Sequence, residues 1–178
     1  MIRVLENHKT EAYLNIKNRA INDLAYFWDE SSTHGDDPSP SGKYENFGFY
    51  SHALIMRAES GSPFTRNNSG LVDVAAGVVE EILVSNNIKI NYICRMTINC
   101  VHPTKSNKYS IPHVDHDFPH KNLLIYFTDS GGETVVESVL GNKKHYPKED
   151  DVIMFDGVKH YHRPPKEGRR IVLVTTFV

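Results

Sequence analysis

The sequence predicts a mainly β fold with flanking helices, of the jelly-roll or related two-sheet kind, and three observations predict it. From Ile88 onward short apolar runs rich in β-branched and aromatic residues alternate with turn residues. One segment alone, Leu71 to Ser85, carries a clear helical period, and it precedes those runs. The chain of 178 residues is long enough for one domain with a real core and shows no internal repeat of fixed period. Many short strands with a single helix packed outside favour two facing sheets.

In chain order, Ala20 to Trp28 is apolar-rich, and its periodicity leaves helix and strand both open. Ser31 to Lys43 is dense in Ser, Asp, Gly and Pro and reads as an exposed loop. Phe49 to Ala58 reads as a strand. In the helix from Leu71 to Ser85, Val74, Ala75, Val78, Val79, Ile82 and Leu83 recur at helical spacing, with Asn68 or Ser69 placed to cap it. The later strands are expected at Ile88 to Val101, Leu123 to Thr128, Thr134 to Leu140, Val152 to Phe155 and Ile171 to Val178. Gly131-Gly132, Gly141-Asn142 and Pro164-Pro165 punctuate them.

Composition narrows the function classes. The chain is 39% hydrophobic and 24% charged, with a formal charge of −2, so the basic field that drives nucleic-acid or anionic-membrane binding is missing. The opening Met1-Ile2-Arg3-Val4-Leu5-Glu6 lacks the apolar core of a signal peptide, and no later run approaches a membrane span. A cytoplasmic protein is expected. Cys94 and Cys100 lie six apart in one expected strand, on the same side but too far apart to bridge, which predicts reduced thiols.

The segment richest in chemistry is Ile111-Pro112-His113-Val114-Asp115-His116-Asp117. Residues two apart on an extended chain point the same way, so His113 and Asp115 can reach one metal ion. Alone, that spacing is a weak motif. A third ligand is available in Lys159-His160-Tyr161-His162, where both His160 and His162 are candidates; the preceding strand and turn can bring this segment alongside the first. Two histidines and a carboxylate on one face leave other positions open, as non-haem iron requires. Gly168-Arg169-Arg170 then leads into an apolar strand, and an arginine pointing into a barrel there is costly unless it meets an anion. Asn99 and Arg95, on one face of the strand leading to the site, are candidates to contact cosubstrate or substrate. His116, Asp117 and His120 follow the ligand pair and are candidates for the substrate mouth. His8, His34, His52, His102 and His145 are read as solvated or locally hydrogen-bonded.

From about Asn91 to Val178 the chain resembles the iron(II)- and 2-oxoglutarate-dependent oxygenase superfamily, in particular its small prolyl-hydroxylase-like members. The resemblance rests on His113-Val114-Asp115, Leu124 to Asp129, Gly131-Gly132-Glu133-Thr134, Val152 to Phe155, the turn from His160 to Pro164, and Arg170 with its strand, all in the family's order. It implies a double-stranded β-helix (jelly roll, cupin-like) in a single domain over 1–178, with 1–87 buttressing a core in 88–178. It implies Fe(II), 2-oxoglutarate and O2 as cofactors. His113 and Asp115 become metal ligands, and Arg170, with help from Tyr126, holds the far carboxylate of 2-oxoglutarate. Pro164 and Arg170 stand at the family's distances from His160, so His160 is favoured over His162. One departure is Pro147-Lys148-Glu149-Asp150 where relatives often carry a glycine-ended turn; aspartate tolerates the left-handed backbone such a turn needs.

The activity so implied is hydroxylation of an amino acid or peptidyl side chain, with succinate and CO2 released. The acid in the His-Xaa-Asp motif disfavours halogenation. The rival is a cupin-like metal protein or enzyme that does not use 2-oxoglutarate; a non-catalytic β-sandwich module ranks below it. A nucleic-acid or membrane partner is not expected, and the oligomeric state is not readable.

Overall fold

The computed structural model describes residues 1–31, 42–58 and 64–178. Among these, thirteen strands and two helices follow in the order β1 (Arg3–Leu5), α1 (Glu11–Asn22), β2 (Phe27–Asp29), β3 (Tyr44–Glu45), β4 (Phe49–Met56), β5 (Arg66–Asn67), α2 (Val72–Ser85), β6 (Ile93–Val101), β7 (Tyr109–Ser110), β8 (Lys121–Tyr126), β9 (Thr134–Val136), β10 (Lys143–His145), β11 (Val152–Asp156), β12 (His160–His162) and β13 (Arg170–Phe177). The protein is mainly β. Its large sheet is antiparallel throughout, in the order β1-β11-β8-β13-β6-β4-β2, with β5 paired to β4. A small sheet runs β10-β9-β12, and β3 pairs in parallel with β7.

The large sheet has two differently used faces because side chains alternate along a strand. On β6, Cys94, Met96, Ile98 and Cys100 are buried, and most of them pack in the main core with Leu123, Ile125, Ile171 and Leu173. The helices cover this face. Helix α2 buries Val72, Ala75, Val78, Val79, Ile82 and Leu83, and α1 buries Tyr13, Ile16 and Ala20. The alternate residues of β6, β8 and β13 (Arg95, Asn99, Leu124, Val172, Val174) line a cleft shared with the small sheet. Cys94 and Cys100 are buried free thiols.

Several sequence expectations change in detail. The stretch from Ala20 to Trp28 is split: α1 ends at Asn22 and a short strand begins at Phe27. Most of α1 lies upstream, where its buried stripe is too narrow to raise a helical signal above its polar neighbours. Thr10 caps it, its hydroxyl accepting from the Tyr13 N–H. Neither Asn68 nor Ser69 is the cap residue of α2. Leu71 takes that place without a side-chain bond, while Ser69 Oγ accepts from the Leu71 N–H at 3.2 Å and Asn68 donates to the Ala53 carbonyl. The expected strand from Thr134 ends at Val136, since Ser138 to Gly141 folds into a turn. His160 to His162 forms β12, where a turn was expected. The loop from Ser31 to Lys43, and His34 within it, lies mostly outside the described residues.

Asp150 does adopt the left-handed backbone its turn requires, at φ 70°. Its carboxylate accepts from Tyr13 Oη and Lys17 Nζ, both at 2.5 Å, and pairs with Lys9 at 2.9 Å. The turn before β11 is thereby tied to α1. Burial works against the Asp150 charge, but these donors outweigh it and hold the carboxyl below its usual range. A depressed folded-state value means that the stabilisation is present above the ordinary carboxylate pKa and is lost as pH falls through the folded value. Asp150→Asn keeps the backbone tolerance and removes the charge, so it is expected to cost about 1–3 kcal/mol at neutral pH. Denaturant unfolding of both proteins should show that gap closing as the pH falls below about 4.

Candidate metal and anion site

Three segments bring the site together. β9 carries Thr134 opposite His162 and Val136 opposite His160 on β12, and His160 in turn forms an antiparallel bridge with His113. That bridge is closed by His113 N–H to His160 O at 3.1 Å and His160 N–H to His113 O at 3.0 Å. The distal histidine is thus fastened to the His-Xaa-Asp segment by backbone. Alternation on β12 sends Tyr161 away from its two histidine neighbours, into a cluster with Tyr44, Tyr109 and Val135.

His113, Asp115 and His160 place one donor atom each within 4.8 Å of one another. His113 Nδ1 faces the Ile111 carbonyl at 3.2 Å and His160 Nδ1 the Val158 carbonyl at 3.0 Å. A ring that donates its Nδ1 proton to a carbonyl presents Nε2 as a lone pair, the state that a metal ligand needs. Burial pushes the His160 imidazole down to about 4, so it is neutral at physiological pH. Asp115 is held by Arg95 Nη1 on Oδ1 at 3.1 Å. Its Oδ2 is buried without a hydrogen bond, 3.4 Å from His160 Nε2. Burial opposes the Asp115 charge, and the cationic groups around it, Arg95 and Arg57 included, keep the carboxyl below its usual range. Two imidazoles and a carboxylate with an unused oxygen fit a divalent metal ion.

The triad opens on a cleft lined by residues of both sheets, among them Phe49, Asn99, Leu124, Thr134, His162 and Arg170. Arg170 is 4% exposed. Its Nη2 donates to Thr134 Oγ1 at 2.9 Å, its guanidinium lies 5.2 Å from the centre of the Tyr126 ring, and its Nε has no partner. No carboxylate among the described residues pairs with it. Burial pulls this guanidinium below its usual value, yet an arginine stays charged, so the cleft holds a buried cation in want of an anion.

The other sequence candidates are placed as follows. His162 lines the cleft outside the triad: Nδ1 lies 3.3 Å from Ser110 Oγ, and Nε2 is buried without a partner. Burial, and then the Arg170 charge, push it well below the ordinary histidine value. Tyr126 is fully buried behind the cleft, with its hydroxyl 2.8 Å from Thr134 Oγ1. Thr134 therefore stands between Tyr126 and Arg170, and it is Thr134 that lines the cleft. Asn99 lines the cleft and accepts from Thr97 Oγ1. Arg95 also lines it but is turned to Asp115. His116 and Asp117 are not brought there. They border a separate hollow with Phe118 and His120, where His116 Nε2 is 2.7 Å from Thr176 Oγ1. His52 and His145 have local partners, Ala25 O and Ser69 Oγ for the first and Asp151 for the second.

Sequence reasoning overlooked Thr134 and Arg57. The signal for Thr134 was its polar side chain at an inward position of Thr134-Val135-Val136; Arg57 follows β4 with no motif around it. Gly132, in the turn before β9, has φ 80°, and an added Cβ would fall 2.4 Å from the Arg163 carbonyl oxygen. Gly132→Ala is expected to destabilise the protein by about 2 kcal/mol or more, through left-handed strain plus the clash. Urea unfolding measures it, and loss of the fixed position of Thr134 should weaken anion binding at Arg170.

The sequence matches neither a protein-family model nor a curated protein. Solved structures do match. An oxidoreductase of the 2OG-Fe(II) oxygenase family from Burkholderia pseudomallei is 14% identical with a TM-score of 0.74, over 99% of this chain and 84% of that one. A prolyl hydroxylase from Trichoplax adhaerens, in complex with a hypoxia inducible factor peptide fragment, is 13% identical with a TM-score of 0.64, over 99% of this chain and 82% of its own. A prolyl-4-hydroxylase from Pseudomonas putida is 11% identical with a TM-score of 0.54, over 99% and 91%. The chain thus has the fold of the 2OG-Fe(II) oxygenases, prolyl hydroxylases among them, as its motifs had suggested.

Proposed function

We propose that this protein is an Fe(II)- and 2-oxoglutarate-dependent oxygenase with a jelly-roll (double-stranded β-helix) core in one domain over 1–178, and that it hydroxylates an amino acid or peptidyl side chain. One observation carries the reading: three buried polar atoms without partners belong to residues of a single cleft, Asp115 Oδ2 in the triad and Arg170 Nε and His162 Nε2 along its wall. A metal satisfies the first and a carboxylate the others. His113, Asp115 and His160 would hold Fe(II), which supplies oxygen activation coupled to 2-oxoglutarate decarboxylation. Arg170 and Thr134 would grip the far carboxylate of 2-oxoglutarate, with Tyr126 fixing Thr134 from behind and Asn99 beside Val172 on the sheet that carries Arg170. The apolar wall of Leu124, Val172 and Val174 would exclude water from that contact.

The peptide-bound Trichoplax enzyme supports a peptidyl or amino acid substrate. An alpha ketoglutarate dependent epimerase from nogalamycin biosynthesis shares the fold at a TM-score of 0.59, so hydroxylation rests on the likeness to the prolyl hydroxylases rather than on the fold. The described residues hold no helix long and apolar enough to cross a membrane, and two free buried thiols favour a reducing, cytoplasmic setting.

The test is the weak visible band that 2-oxoglutarate gives when it chelates Fe(II), recorded without oxygen. The band is expected in wild type, lost in His160→Ala, and kept in His162→Ala at a raised 2-oxoglutarate concentration. Tight metal binding with no band at any concentration would replace this reading by a metal protein that does not use 2-oxoglutarate.

A further inference from the structure

A single anion at Arg170 does not account for the positive charge at the other end of the cleft. Arg170 opens β13 opposite Val101, whereas Arg95 stands opposite Thr176 near the far end of the same strand. Six residues of strand separate the two positions, roughly 20 Å of backbone. A five-carbon dicarboxylate reaching Arg170 from the triad extends away from Arg95. Arg95 lines the cleft and commits only Nη1 to Asp115 Oδ1. Arg57 brings a second guanidinium to the same residue. Its Nη1 donates to the Asp115 carbonyl at 3.0 Å, its Nη2 is 3.7 Å from the same Oδ1, and its side chain is 48% exposed. Asp115 is the sole carboxylate among the lining residues; outside them, Arg57 adds a positive charge and Asp29 a weaker attraction to Arg95. Asp115 faces two arginines here, and a bound divalent metal would enlarge the positive excess. The two guanidiniums also repel each other: after burial itself, the Arg57 charge is among the causes that lower Arg95. Orienting Asp115 needs one arginine, and Arg95 supplies it. The second is surplus to that task, half-exposed, and beside the reacting centre.

We propose that the substrate carries a carboxylate, which Arg57 and Arg95 clamp beside the metal triad, so that a carbon close to that carboxylate is the one presented for oxidation. The inference rests on the oxygenase reading and narrows its substrate class. The carboxylate can come from a free amino acid or from an acidic side chain within a peptide, since both offer the planar pair of oxygens that a guanidinium binds in two-point fashion.

Binding to the zinc-loaded protein, saturated with 2-oxoglutarate, tests it without turnover. The probes are the L-amino acids, their carboxamides, and acetylated, amidated peptides with or without Asp and Glu, followed by saturation-transfer NMR and calorimetry. At least one carboxylate probe is expected to bind, its amide about tenfold or more weaker, and Arg57→Met and Arg95→Met are each expected to weaken that probe about tenfold. With zinc kept saturating, Arg57→Met should bind 2-oxoglutarate as wild type does, since Arg57 stands at the Asp115 end of the cleft and not at Arg170. A free amino acid as the bound probe assigns the α-carboxylate; binding by acidic peptides alone assigns the side chain. Equal binding of the amide, no effect of either arginine variant, or no carboxylate bound up to about 10 mM overturns the proposal. If wild type binds zinc and 2-oxoglutarate while those negatives hold, the substrate class alone is wrong. If it binds neither, the oxygenase reading and this inference fall together.

Discussion

Asp115→Ala is expected to lower the affinity for Fe(II) or a stand-in such as zinc by more than about 100-fold, because losing a ligand should exceed the 10–100-fold typical of losing its supporting partner. The geometry explains why a weaker effect is not expected. Asp115 is the only carboxylate in the triad, and its Oδ2 is the one oxygen left without a hydrogen bond while Oδ1 is engaged by Arg95. His113 and His160 alone would offer two neutral donors. The same variant reports through stability. A metal held at a hundredfold excess over its Kd adds about 2.7 kcal/mol to the wild type, which for a chain of this size is a rise in Tm of about 5–10 °C. Thermal unfolding with and without zinc should show that rise in wild type and not in Asp115→Ala. An equal rise in both would move the metal site elsewhere.

Arg170→Met is expected to separate cosubstrate binding from metal binding. Removing the buried guanidinium leaves the far carboxylate of 2-oxoglutarate in a wall of Val172, Val174 and Leu124 with Thr134 as the remaining donor, a loss of about 2–4 kcal/mol, or roughly 30- to 1000-fold in affinity. Zinc affinity should not change, because none of the triad donors contacts Arg170. A second consequence has the opposite sign. Among the described residues Arg170 has no carboxylate partner and its Nε is unpaired, so replacing it with an uncharged side chain of comparable length removes a buried cation. The ligand-free variant is therefore expected to resist denaturant at least as well as wild type. A large loss of stability, together with unchanged 2-oxoglutarate affinity, would make Arg170 a structural residue.

Local chemistry made part of this molecule legible in the sequence. The period of Val78, Val79, Ile82 and Leu83 marked α2, and the β-branched runs at Val152 and Ile171 marked strands, because burial writes itself into residue type and spacing. The left-handed Asp150 followed from its side chain, and Arg170 followed from the cost of a cation at the mouth of an apolar strand. The same reasoning could not find α1, which buries three residues, or β1 and β10, three residues each, whose pairing is set by the partner strand more than by their own composition.

Within the site, His113 and Asp115 could be paired from spacing because they lie two apart on one segment, although that segment is an isolated bridge followed by a bend rather than the strand that the spacing suggested. For the distal ligand, strand alternation leaves His160 and His162 equivalent, since they share the same face of β12, and only the family's spacing to Pro164 and Arg170 favoured His160. The bridge between His113 and His160 groups His160 with the His-Xaa-Asp segment and carries His162 onward toward Arg170. Thr134 and Arg57 reach the site through strand register and through the end of β4, relations between segments far apart in the chain. The kind of fold, one helix, most of the strands and the candidate metal-ligating and anion-binding residue types were readable from the chain, because those depend on residue type and short-range spacing. The packing of distant segments added that His160 groups with His113 and Asp115 while His162 does not, that Thr134 rather than Tyr126 faces the cleft, and that two arginines meet at Asp115, because each depends on which distant strands lie side by side and in what register.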